Sequence, residues 1–158
     1  MDRRVVGLLV SAGLLAIIVA VVVVARGGDD GGSDEELTKP VVEVPQGPPP
    51  NRLEIEDIEV GGGAEAQTGD RLSVQYVGVL YDTGQEFDSS WDSGQPLQLQ
   101  LGAGSVIPGW DQGLEGMREG GRRQLVIPPD LAYGAAGQPP DIPPNATLVF
   151  VVDLVSVS

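Results

Sequence analysis

An α+β domain spanning residues 51–158 is the fold class the sequence predicts, a sheet packed on one short α-helix, and two observations carry it. Apolar residues between Leu53 and Val157 recur mostly at every second position, the period of a strand with one buried face. A single stretch departs from that rhythm: Ile107, Trp110, Leu114 and Met117 follow at spacings of three, four and three, the period of a helix face. With only one helix available, its apolar stripe must lie against the sheet.

The elements follow in order. Leu53 and Ile55, then Ile58 and Val60, alternate with charged residues but slip by one position at Asp57. A slip in a period of two predicts a bulge or a break between short strands. Leu72, Val74, Tyr76 and Leu80 share one parity and are expected on one sheet face. Leu97, Leu99 and Leu101 alternate with Gln98 and Gln100 in the same manner, and Leu125–Ile127 and Thr147–Val157 supply the remaining strands. Pro108 suits a first helical turn, where its missing N–H is not needed, and Gly116 or Gly120 is expected to end the helix.

Residues 1–50 read differently. From Val5 to Ala25 no residue is charged, and 21 helical residues reach about 31 Å, enough to cross a bilayer's hydrocarbon core. A transmembrane signal anchor is therefore expected over 5–25, with residues 1–4 in the cytoplasm; a cleaved secretory signal is the alternative. Arg3 and Arg4 before the run against Arg26 after it favour a cytoplasmic N-terminus and an extracytoplasmic domain. Residues 26–50 read as a disordered linker, first Gly-rich and acidic and then proline-rich, with polyproline-II stiffness over Pro45–Pro50.

Composition removes several chemistries. The chain has no cysteine and no histidine, which excludes disulfides, thiolate metal sites and a Ser-His-Asp triad. Neither a cofactor nor a metal is expected. Beyond Arg26 stand six basic residues against twenty-two acidic ones, a net charge of −16; Arg3, Arg4, Arg26 and Asp2 complete the totals of 9 and 23. That surface repels nucleic acid, so no nucleic-acid partner is expected.

Five segments point to a function. They are Tyr76-Val77-Gly78, Phe87-Asp88-Ser89-Ser90, Val106-Ile107-Pro108-Gly109-Trp110, Tyr133-Gly134-Ala135-Ala136-Gly137 and Ile142-Pro143-Pro144-Asn145-Ala146-Thr147-Leu148-Val149-Phe150. Their combination resembles the FKBP-type peptidyl-prolyl isomerases, the macrolide-binding immunophilins. The likeness begins near Thr68-Gly69-Asp70 and runs to the terminal strand. It implies a half-wrapped antiparallel sheet around the helix, with an apolar pocket between them that takes the proline of a peptide. By the resemblance Trp110 is the pocket floor, and Tyr76, Phe87, Leu97, Val106, Ile107, Ile142 and Phe150 belong to the substrate-binding set. Tyr133 would hydrogen-bond a ligand carbonyl at the rim, Asp88 would be the polar group beside the pocket, and the Ile107 N–H would serve a second carbonyl. Asp88, Tyr133 and Trp110 are the expected catalytic residues. Taken from spacing and local sequence alone, Trp110 reads as a core residue, and Asp88 beside two serines as a turn former or cap.

Physical chemistry explains why such an inventory suffices. An amide resists rotation by about 18–20 kcal/mol because resonance gives its C–N bond double-bond character. That resonance puts negative charge on oxygen, which water stabilises. Twisting removes the resonance, so an apolar pocket destabilises the planar amide more than the twisted one. Losing the hydration of an amide costs about 2–7 kcal/mol, and each 1.36 kcal/mol is worth about tenfold in rate.

The chain also departs from the family pattern. Leu97 and Leu99 stand where aromatics are common, which predicts a less aromatic wall. Ser93 stands where some relatives have an arginine that pairs with the aspartate, and Gln138 and Asp141 occupy flap positions familiar as histidine and an aliphatic residue. The expected function is isomerisation of X-Pro bonds in exported chains, with macrolides as a further ligand class. The alternative is a tethered, non-catalytic module that binds a proline-containing segment of an envelope partner.

Overall fold

The computed structural model describes residues 36–158; the expected membrane span over 5–25 and the first part of the expected linker lie outside the described residues. Among the described residues no helix is long and apolar enough to cross a membrane.

Among the described residues six strands form one sheet: β1 (Glu54–Glu59), β2 (Arg71–Leu80), β3 (Glu86–Ser89), β4 (Leu97–Gln100), β5 (Arg122–Ile127) and β6 (Leu148–Val157). All pairings are antiparallel, in the order β1-β5-β6-β2-β3, and β4 pairs with the first half of β2. The slip expected at Asp57 is a register shift between Asp57 and Glu59 against β5. The parity of β2 also holds. Leu72, Val74, Tyr76 and Leu80 join the main core, whereas Val77 and Val79 join a second cluster on the opposite face.

The helix α1 (Pro108–Gly113) is shorter than the spacing predicts. Leu114 and Met117 are fully buried as expected, but on the turn that follows α1, where Gly116 adopts a left-handed φ of 79°. Two glycines allow this short element to press on β5. A Cβ at Gly109 would overlap the Ile127 side chain, and one at Gly113 would fall 2.7 Å from Leu125 Cδ2. Arg123 of β5 closes the far end. Its guanidinium donates to the carbonyls of Gly113 (2.9 Å) and Glu115 (3.1 Å) and pairs with Asp57 at 2.6 Å. A cation on the orphan carbonyls of a helix C-terminus is favourable, and here it ties β1, β5 and α1 together.

The expected linker differs from the structure over its second half. Residues 36–50, which bend at 46–48, lie along the outer face of the sheet rather than as a free tether. Val42 and Val44 cover Val77, Val79, Tyr81, Val126 and Val149, a cluster that the sheet's inner core does not touch. Arg122 donates to the Thr38 carbonyl at 3.0 Å while holding the buried Asp153 at 2.6 Å. The tether reading weighs proline and glycine content, but an antiparallel sheet with apolar residues on both faces needs a second cover.

Two stability outcomes follow. Helix propensity alone would have Gly109→Ala stabilise the chain by up to about 1 kcal/mol. Overpacking against Ile127 predicts a loss of about 1–3 kcal/mol instead, read as a lower urea midpoint at unchanged slope. Residues 51–158 are expected to be less stable than 36–158 by about 1–3 kcal/mol, since Val42 and Val44 are partly buried; equal melting curves would contradict the strap's role.

Candidate active site

One apolar cavity of about 170 Å³ opens between α1 and the inner face of the sheet. Tyr76, Phe87, Asp88, Leu97, Val106, Ile107, Trp110, Tyr133 and Phe150 line it, together with Ser105. Nine of the ten expected substrate-binding residues therefore meet in one place. Larger clefts, of about 710 and 630 Å³, lie on the outer face between the 40–46 strap and β1. They are open and gather no aromatic side chain, so the smaller cavity is the better candidate for binding a ring.

Ile142, expected in the substrate-binding set, does not line the cavity. Its N–H and carbonyl pair with Gln138 at 2.9 and 2.8 Å, and its side chain, 3 % exposed, is part of the core beneath. Leu99 is likewise buried in the core, so of the two leucines at aromatic positions only Leu97 reaches the cavity. Asp141 is exposed and outside the lining. Ser105 carries no signal in the sequence; its place follows from its position beside Val106.

Trp110 forms the floor. It is 3 % exposed, and its ring lies edge-on to Tyr76 (centroids 5.0 Å apart, 85°) and to Phe150 (5.3 Å, 86°). Edge-to-face rings gain about 0.5–1.5 kcal/mol per pair beyond their buried area. The indole N–H is buried without an acceptor among the described residues, so Trp110 offers the cavity an apolar plane. Phe87 packs edge-on to Phe150 at 5.5 Å and 88°. Gly78 makes room for that pair: a Cβ there would sit 2.6 Å from Phe150 and 2.7 Å from Phe87. This is why the Tyr76-Val77-Gly78 run ends in glycine.

A bulge sets the polar edge. In the β2–β3 ladder Gly78 faces Asp88 and Val79 faces Glu86, which leaves Phe87 as the extra residue. A regular strand would send Phe87 and Asp88 to opposite faces; the bulge lets both line the cavity. Asp88 is then fixed by two donors, the Tyr76 hydroxyl at 2.7 Å and the Ser89 N–H at 2.9 Å. Ser93 does not take the place of the missing arginine. Its hydroxyl donates to the Ser90 carbonyl at 2.8 Å, and Tyr76 orients Asp88 instead, a role that its reading as a wall residue misses.

Burial raises the Tyr76 phenol well above its ordinary range, and the hydrogen bond to Asp88 raises it further. Burial, then the charge of Asp88, also raises Tyr133. Both phenols stay protonated donors throughout the neutral range. Among the described residues the Tyr133 hydroxyl and the Ile107 N–H have no intramolecular acceptor. The site thus offers an apolar floor, four aromatic rings and two unengaged donors at the edge. Among the described residues no cluster of acidic side chains could hold a metal ion.

Comparison with known proteins gives the family of the fold. Residues 62–155 match the family model described as FKBP-type peptidyl-prolyl cis-trans isomerase. The chain is 57 % identical over 122 residues to an FK506-binding protein of Streptomyces anulatus, covering 77 % of this chain and 98 % of the relative. It is 52 % identical over 120 residues to a probable FK506-binding protein of Corynebacterium glutamicum, covering 76 % and 99 %. The crystal structure of AtFKBP13 superposes with a TM-score of 0.62 at 41 % identity, over 67 % of this chain and 93 % of that one. FkpA from Escherichia coli superposes with a TM-score of 0.61 at 47 % identity, over 67 % and 48 %. The chain belongs to the FKBP-type peptidyl-prolyl cis-trans isomerases.

Proposed function

We propose that the aromatic cavity takes the proline ring of an unfolded or partly folded polypeptide and speeds rotation about the preceding bond by removing water from it. The observation that carries this reading is the convergence of Tyr76, Phe87, Trp110 and Phe150 on one small cavity edged by donors. About 170 Å³ is below the usual 300–1,000 Å³ of a drug-sized pocket, so one ring is buried and the flanking chain lies across the rim.

The steps follow from the residues. The proline ring rests on Trp110, and the X-Pro amide loses its hydration among the surrounding rings. Desolvation raises the planar amide more than the twisted one, which lowers the barrier. The Tyr133 hydroxyl and the Ile107 N–H donate to flanking carbonyls and hold the chain while one side of the bond turns. Asp88, fixed by Tyr76, shapes the polar edge. Macrolides of the kind for which the relatives are named would use the same floor.

The sequence pattern adds a location. Arg3 and Arg4 before an uncharged run of 21 residues support a membrane anchor with the isomerase domain outside, where newly exported chains fold. Uncatalysed X-Pro isomerisation takes tens to hundreds of seconds, slow enough to limit their folding.

The test is cis/trans exchange of an apolar-X-Pro peptide followed by NMR with the full chain at sub-stoichiometric amounts. Accelerated exchange is expected; binding without acceleration would turn the reading to a tethered binding module. The rate should be flat from pH 6 to 8. No histidine or cysteine titrates there, and the raised Tyr76 and Tyr133 lose their protons only above the ordinary phenol value of about 10. A bell-shaped profile in that window would contradict desolvation. Tyr133→Phe should lower kcat/KM only a few-fold with the fold intact, because it removes one orienting donor. Trp110→Ala should abolish activity and cost about 3–5 kcal/mol of stability, since it empties the centre of the ring cluster.

A further inference from the structure

A second cleft adjoins the aromatic cavity and shares two of its walls. It is lined by Glu86, Phe87, Asp88, Ser89, Asp92 and Ser93, and Phe87 and Asp88 belong to both. Two of its carboxylates already hold a cation. Lys39, from the strap on the outer face, places its ammonium 2.9 Å from Glu86 and 3.1 Å from Asp92. These carboxylates, 47 and 53 residues away in sequence from that lysine, are therefore spaced to share one ammonium. Asp88 next to them meets no cation among the described residues. Three carboxylates thus line the cleft and two of them share one ammonium, and the lysine side chain, 37 % exposed, is open to solvent.

We propose that Glu86 and Asp92 form a cation subsite that favours substrates with Lys or Arg two or three residues from the proline, and that Lys39 fills it when no such residue is present. The inference rests on the reading of the aromatic cavity as the proline site. An extended peptide advances about 3.3 Å per residue, so a chain leaving the cavity past Asp88 reaches the second cleft within two or three residues. Its basic side chain displaces Lys39 and meets the same two carboxylates. The strap then has a second consequence besides covering the sheet: it supplies a competitor from within the chain. The hydrogen bonds to Glu86 and Asp92 raise the Lys39 pKa, so the competitor is fully charged at neutral pH.

Two peptides, identical except for Lys or acetyl-lysine two residues from the proline, separate the claims. The pair is made with that residue before the proline and again after it, and exchange rates are measured with the full chain. In at least one position kcat/KM for the lysine peptide should exceed its neutral partner by about three- to fivefold, the upper range of an exposed ion pair, and the ratio should shrink in 0.5 M salt. The double variant E86Q/D92N should bring the ratio to one with the acetyl-lysine rate unchanged. Lys39→Ala should raise the ratio above that of the unmodified chain. A ratio of one at both positions in the unmodified chain and in Lys39→Ala would overturn the subsite, as would a ratio that survives E86Q/D92N. Absence of turnover for the neutral peptide as well would instead remove the isomerase reading on which it rests.

Discussion

The close approach of one six-residue helix to β5 is the constraint on which the rest of the molecule depends. Gly109 and Gly113 leave the helix backbone against Ile127 and Leu125, and Trp110 between them is carried up to meet Tyr76 and Phe150. A larger residue at either glycine would lift the helix and widen the space beneath the indole. So short a helix gains little from its own backbone bonds, because nucleation alone is unfavourable. Its position is held from outside by Arg123 on its last carbonyls and by Leu114 and Met117 buried beyond its end. The same contacts that fold the domain thus build the cavity floor, and stability and site geometry cannot be varied independently there.

The polar edge of the cavity is built by a different device. A single extra residue in β3 turns two consecutive side chains, Phe87 and Asp88, to the same side, and Gly78 opposite leaves space for the ring. Tyr76 then couples floor and edge, with its ring against Trp110 and its hydroxyl on Asp88. Such an arrangement carries no titrating nucleophile and no pair of groups poised for proton transfer. It can desolvate and orient, which suits a reaction that breaks no covalent bond.

Much of this was legible in the sequence, for reasons that can be stated. The period of two in β2 survives because each face of that strand is buried against a different partner, and the bulge at Asp57 shows as a slip because β1 alternates charge. The helix was visible through Ile107, Trp110 and Leu114, but its length was overstated, since Met117 keeps the helical spacing while lying on a turn. The pocket set was legible from the family resemblance rather than from periodicity, and Ile142 shows the limit of that transfer: its backbone pairing with Gln138 goes with a side chain buried in the core. The strap was missed because composition reads Pro45–Pro50 as linker, and nothing local tells that Val42 and Val44 have an apolar sheet face to cover. Tyr76 as the holder of Asp88 was missed for the same reason; a contact across 12 residues and a bulge has no local signature.

Desolvation of the X-Pro carbonyl is the central claim, and isotope-edited infrared spectroscopy reads it directly. A peptide carrying ¹³C at the carbonyl before proline would be bound to the full chain and its amide band compared with that in water. A shift to higher frequency, towards a carbonyl without hydrogen bonds, is the result this account predicts. A band that stays at its aqueous position or moves lower would mean that a donor holds that carbonyl, and catalysis by removal of water would be contradicted.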